Sequence, residues 1–181
     1  MSTPIDLGRP VAGDVVDLIL EDHRRFEGLL RTMRGPHADR ESARRAFSAL
    51  HVAHALTEEE HVYPVLRTKR AISEHDAEHG EEEHAEGNEA LLGVLEIKGT
   101  DTQAYEDAVE KLTAAVSHHL AEEELSILTP ARTNVTSRVR DNLGEAFCAS
   151  RNKLIDDDCG TLEKVRRIVG RAERKGILDT D

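Results

Sequence analysis

Two phrases of this chain carry the same chelating pattern. In HALTEEEHVYPVL, residues 54–66, His54 stands four residues before Glu58; in HLAEEELSILTP, residues 119–130, His119 stands four before Glu123. On a helix of about 3.6 residues per turn these positions share a face, so each phrase can present an imidazole and a carboxylate to one metal ion. Neutral imidazole with carboxylate is a ligand set for iron, manganese or zinc. Taken singly, such a pair is usually a surface contact, so its meaning depends on where the helices aim it.

The apolar periodicity supplies that direction. Val16, Ile19, Phe26, Leu30 and Met33 mark one face of a first helix, His23 falls in the same stripe, and Gly35 with Pro36 stops it. A second helix from about Asp39 to Tyr63 aligns Phe47, Leu50, His54, Glu58 and Val62, with Pro64 either marking its end or kinking it into a further turn to Leu66. The stretch SEHDAEHGEEEHAEGNE is polar enough at its start to pass for a disordered acidic run. From Ala77, however, the residues Ala77, Gly80, His84, Asn88, Leu91 and Leu95 keep helical spacing, which places His84 inward and His75 and His79 toward solvent. The fourth stripe is the cleanest: Tyr105, Val109, Leu112, Val116, His119, Glu123 and Ile127 select His119 over its neighbour His118, and Pro130 ends the segment.

The pattern is an internal repeat. A helix with one inward His, followed by a helix with HxxxEE and a proline beyond, occurs as His23 with His54 and Glu58 and returns as His84 with His119 and Glu123. Two αα-hairpins of this kind predict an all-α fold, an antiparallel up-down four-helix bundle over residues 11–130. Residues 131–181 read as a C-terminal helical extension. Val135, Val139, Leu143, Ala146 and Phe147 suggest a fifth helix, Asp156 to Asp158 with Gly160 a turn, and Thr161 the N-cap of a short sixth helix. This extension packs either on the bundle or on a protein partner that the sequence does not identify.

The case for a metal is one of cost. An isolated buried carboxylate costs several kcal/mol even after relaxation, yet Glu58 and Glu123 stand in apolar stripes that hold no Arg or Lys and one imidazole per helix. Four His and two Glu are too many for one tetrahedral zinc, but they suit a pair of metals bridged by the two carboxylates. With an oxo or hydroxo bridge added, about two coordination positions stay open for a small molecule. Glu59, Glu60, Glu122 and Glu124 are expected to be solvated or to accept the distal N–H of a ligating imidazole. His51 and His61 lie on or near the same face and are further candidates for a ligand or proton donor, while Tyr63 is read as packing.

Composition narrows the classes. A formal charge of −12 argues against nucleic acid or an anionic membrane as partner. The charge is uneven: residues 131–181 hold 11 basic and 9 acidic side chains, and residues 1–130 hold 13 and 27, a net −14, so a boundary is expected near 130. Three Phe, two Tyr and no Trp leave aliphatic residues to build the core. Cys148 and Cys159 fit no metal or redox spacing and read as reduced thiols. The start of the sequence lacks the pattern of a signal peptide, and no apolar run approaches the ~20 residues of a membrane span, so the expected location is cytoplasmic.

One His in the first helix (EDH, His23), HxxxEE with a later Pro in the second, EH in the third (Glu83 and His84) and HHxxxEE with a later Pro in the fourth resemble the bacterial hemerythrin-like, or HHE cation-binding, family over about residues 11–130. The resemblance implies two non-haem iron ions held by His23, His54, Glu58, His84, His119 and Glu123. It also implies a function in binding or reacting with O2 or a related small oxidant, peroxide or nitric oxide. The oxygen carriers of this family place a second His four residues before the one in the third helix; here that position is Gly80. The missing imidazole argues against reversible carriage and for a centre with more open coordination. Peroxide disproportionation is the preferred enzyme reading, and an iron or oxygen sensor or interaction module without turnover is the alternative.

Overall fold

The computed structural model describes residues 5–179, the side chains at positions 37 and 38 excepted. The ends of the expected arm and extension, residues 1–4 and 180–181, lie outside the described residues. Helix α1 (Val15–Met33) opens on Asp14, whose carboxylate accepts from the Val16 N–H at 2.9 Å as an N-cap. α2 (His37–Thr57) runs into a π-helical turn, π1 (Glu58–Val62), and on into α3 (Tyr63–Thr68). α4 (Glu74–Glu96) starts earlier than its apolar pattern suggests. Ser73 and Asp76 form a capping box, with Asp76 N–H to Ser73 Oγ at 3.0 Å and Ser73 N–H to Asp76 Oδ2 at 2.8 Å, and this closes the first turn of the acidic stretch.

α5 (Gln103–Glu123) leads through π2 (Glu124–Leu128) into α6 (Thr129–Asn134). Of the two outcomes open at Pro64, an end or a further turn beyond it, the structure has the second, and the expectation that Pro130 ends the fourth helix is corrected: both helices continue past their prolines. Proline lacks an N–H and its ring crowds the carbonyl one turn back. Here a widened turn precedes each one, with the Tyr63 N–H bonded to the Glu58 carbonyl and the Thr129 N–H to that of Glu124, so each proline enters at the start of a new helical segment.

α1, α2, α4 and α5 form the antiparallel bundle. Its interior has two apolar clusters. One contains Phe26, Phe47, Leu50, Leu91 and Leu112, the other Ile19, Val62, Leu66, Ile127 and Leu128. Along every bundle helix the site residues fall at the seam between them: His23 between Ile19 and Phe26, Glu58 between Ala53 and Val62, His84 between Ala77 and Leu91, Glu123 between Leu120 and Ile127.

The C-terminal helices join these same clusters. α7 (Ser137–Asp156) packs on α1 and α2 and buries Leu143 and Phe147, while α8 (Leu162–Arg174) packs on α4 through Val165 and Val169. Thr161 occupies the N-cap position of α8 without a side-chain hydrogen bond. Two close approaches hold the extension down. A Cβ on Gly144 would lie 1.7 Å from the Gly13 carbonyl oxygen, and one on Gly160 would lie 2.4 Å from the Ala49 nitrogen, so only glycine permits these backbones to touch. No described helix is long and apolar enough to cross a membrane.

Candidate metal centre

The four bundle helices bring His23, His54, Glu58, His84, His119 and Glu123 together, each buried to within 4 % of full coverage. Their ligand atoms fall into two trios, His23 with His54 and Glu123, and Glu58 with His84 and His119, the atoms of each lying within 4.8 Å of one another. The HxxxE pairs are thus divided between trios, although each Glu still stands next to its own-helix His. Glu58 points Oε1 at His54 Nε2 and Oε2 at His84 Nε2, both at 3.1 Å. Glu123 Oε2 lies 3.1 Å from His23 Nε2 and 3.6 Å from His119 Nε2. Each carboxylate therefore stands between the two imidazole pairs.

The donor set fits a pair of cations. Nε2 of His54, His84 and His119 and both oxygens of Glu58 are buried and close to one another, yet none has a hydrogen-bond partner. Buried polar atoms are rarely left so, and metal coordination satisfies them. Without metal, protons take its place. Burial disfavours a charged His54, but the Glu58 and Asp22 carboxylates outweigh it and hold its pKa up to about 10. His84 is likewise raised against burial by Glu58 and Glu59. Burial alone would raise Glu58, yet His54 and His84 hold it well below the usual carboxylate range.

Each imidazole is gripped from behind. Nδ1 of His23 meets Glu124 at 2.8 Å, His54 meets Asp22 at 3.2 Å, His84 meets Glu59 at 2.9 Å and His119 meets Glu83 at 3.0 Å. A carboxylate at Nδ1 fixes the tautomer with a free Nε2 lone pair and sets the ring's orientation. The set obeys the internal repeat: Asp22 and Glu83 each precede one inward His and serve the other hairpin helix, while Glu59 and Glu124 each follow a central Glu and serve the opposite half.

Glu59 and Glu124 thus take the role expected of them. Glu60 takes the other expected role, solvation: its side chain is 66 % exposed, with His61 at 3.8 Å. Asp22 and Glu83 were missed as partners, although the signal was present in the doublets Asp22–His23 and Glu83–His84. His61 is half-exposed and turns away from both trios. His51 is buried beneath them, stacked on Phe47 with ring centroids 5.5 Å apart, and its Nε2 faces Gly87. Tyr63 is more than packing: its hydroxyl donates to Glu123 Oε1 at 2.8 Å, and its ring stacks on His84 with an interplanar angle of 6°. Burial and the Glu123 charge push the phenol pKa well up, which keeps it a donor. A cavity of about 110 Å³ between α2, α4 and α8 has Glu59 in its wall, one side chain away from His84.

A family model described as the hemerythrin HHE cation binding domain matches residues 14–131. No curated protein and no solved structure matches the chain.

Proposed function

Because the chain belongs to the hemerythrin HHE cation-binding domain family, we propose that it is a non-haem diiron protein that binds or reacts with O2 or a related small oxidant, peroxide or nitric oxide. The observation that carries this reading is the sharing of two buried carboxylates between two imidazole pairs, Glu58 between His54 and His84 and Glu123 between His23 and His119. A single four-ligand cation would leave two of the six residues idle; a pair uses them all. When bound, adjacent irons supply one-electron chemistry and open positions for a diatomic or peroxide ligand. The chain's part is to hold four imidazoles by Nδ1, to neutralise the charge in a dry seam, and to place the Tyr63 hydroxyl on Glu123.

A reducing, cytoplasmic setting suits Cys148 and Cys159, both free and buried, with thiol pKa values raised by burial. The test is metal analysis of protein purified without chelators, followed by anaerobic iron loading and exposure to peroxide. About two irons per chain with ligand-to-iron charge-transfer absorption, and O2 evolution above that of free iron, support a peroxide-consuming oxidoreductase. Absence of iron after loading sinks the diiron reading.

A sensor or interaction module without turnover is the second reading. It is favoured by the docking of α7 against His54, where Phe147 meets the imidazole edge-on at 5.8 Å. Iron binding without turnover would select it.

A further inference from the structure

The four carboxylates behind the imidazoles are not equivalent. The side chains of Glu124, Glu59 and Glu83 are 47 %, 30 % and 6 % exposed, so water shares their charge to differing degrees; that of Asp22, at 1 %, is sealed. A sealed carboxylate is costly unless a cation and hydrogen bonds match it. The match comes from α7. Arg151, fully buried, donates from Nε to Asp22 Oδ2 at 2.7 Å and from Nη2 to Asp22 Oδ1 at 2.8 Å, a fork on both oxygens. Arg25 adds a weaker contact to Oδ1 at 3.2 Å, and His54 Nδ1 takes the remaining side of Oδ2.

Arg151 is itself fixed. Nη2 also donates to the Leu7 carbonyl at 2.7 Å, and Nη1 donates to the Gly8 carbonyl at 3.1 Å and to Asn152 Oδ1 at 3.2 Å, so the segment before α1 is strapped over the guanidinium. One turn earlier on α7, Phe147 sets its ring edge-on against His54. α7 therefore reaches His54 twice, directly through Phe147 and through Asp22, from residues beyond the 14–131 family match.

We propose that Arg151 is a positioning residue of the metal centre: by gripping both oxygens of Asp22 it holds the carboxylate that orients His54, and so the C-terminal helices set the metal affinity of the His23, His54 and Glu123 trio. The trio of Glu58, His84 and His119 keeps its own Nδ1 partners, Glu59 and Glu83, and meets the Arg151 linkage only at second hand, through Glu58, which also faces His54 at 3.1 Å. This rests on reading the six buried residues as a two-metal centre.

The experiment titrates iron(II) anaerobically, in competition with a chelator, into metal-free wild type, Arg151→Lys, Arg151→Met and the charge-neutral double variant Asp22→Asn/Arg151→Met. Circular dichroism and thermal melts run alongside. Wild type is expected to take two irons. Arg151→Met and the double variant are expected to hold one iron about ten- to a hundred-fold more weakly and the other with a clearly smaller change. Arg151→Lys, which returns the charge without the fork, falls between. The double variant leaves no unpaired buried charge, so a near-normal melt with one weakened iron separates positioning from folding. Two irons bound at wild-type affinity in the double variant overturn the proposal and leave the diiron reading standing, and equal weakening of both irons overturns it as well. A wild type that takes no iron fails the diiron reading itself.

Discussion

The Tyr63 hydroxyl lies 3.0 Å from the point where a Cβ on Gly80 would stand. The position at which a further imidazole could have entered is therefore closed by a phenol, stacked on His84 and bonded to Glu123. Gly80→His is then expected not to add a ligand but to displace the Tyr63 ring. Overpacking of this kind costs about 1–3 kcal/mol, or roughly 2–4 °C in Tm for each kcal/mol in a chain of this size. A thermal melt of the metal-free variant checks it, and an unchanged Tm would refute the packing relationship.

Tyr63→Phe removes only the hydroxyl and strands Glu123 Oε1, which has no other described donor. Leaving a buried acceptor unsatisfied costs about 1–3 kcal/mol, and the same melt should show it. If Tyr63 served only as packing, phenylalanine would be silent.

Glu58 faces an imidazole of each trio, whereas Glu60, two residues on, is mostly exposed. Glu58→Gln should reduce bound iron from about two per chain to one or none; Glu60→Gln should leave it unchanged. Metal analysis on the two proteins side by side decides, and equal iron contents would remove Glu58 from the centre.

The metal-free protein should have a defined pH window. His54 is held up to about 10 in the fold against 6.5 unfolded, so its protonated form adds stability that is fully present below pH 6.5 and is lost as pH rises toward 10. Glu58 is held below its ordinary 4.5, so its contribution is present above that pH and is lost in acid. Denaturant titrations should place maximum metal-free stability between about pH 4.5 and 6.5. Bound metal requires neutral imidazoles and releases their protons, so in the loaded protein the decline above pH 6.5 should vanish and iron affinity should weaken in acid.

Gly160 lies backbone to backbone on α2, with the Ser48 hydroxyl donating to its carbonyl at 2.6 Å. Gly160→Ala has no flexible side chain to push aside and should cost about 3 kcal/mol, the upper end for overpacking. Limited proteolysis should then cut sooner in the turn between α7 and α8, and a cleavage rate equal to wild type would contradict this docking.

Much of the site was legible because its signals are local. Helical periodicity picks out His119 from His118 and His84 from His75 and His79 without any knowledge of neighbouring helices, since a residue's face depends only on its own helix. The repeat of His-then-HxxxEE likewise exposes the bundle. Pro64 left two outcomes open and Pro130 misled because a proline's effect depends on the turn before it, and a π turn leaves no mark that periodicity can read. Arg151 was illegible for another reason: nothing in α7's own pattern distinguishes a buried arginine from a surface one.

By itself, then, the sequence determined which side chains face the bundle axis and that two carboxylates lie among four imidazoles. Only the tertiary structure decided how they are shared. It set His54 with His23 and Glu123, placed Asp22 behind His54, closed the space over Gly80 with Tyr63, and brought Arg151 to Asp22 from 129 residues away. Each of these is a contact between helices, and side-chain spacing within one helix carries no information about which partner stands across the axis.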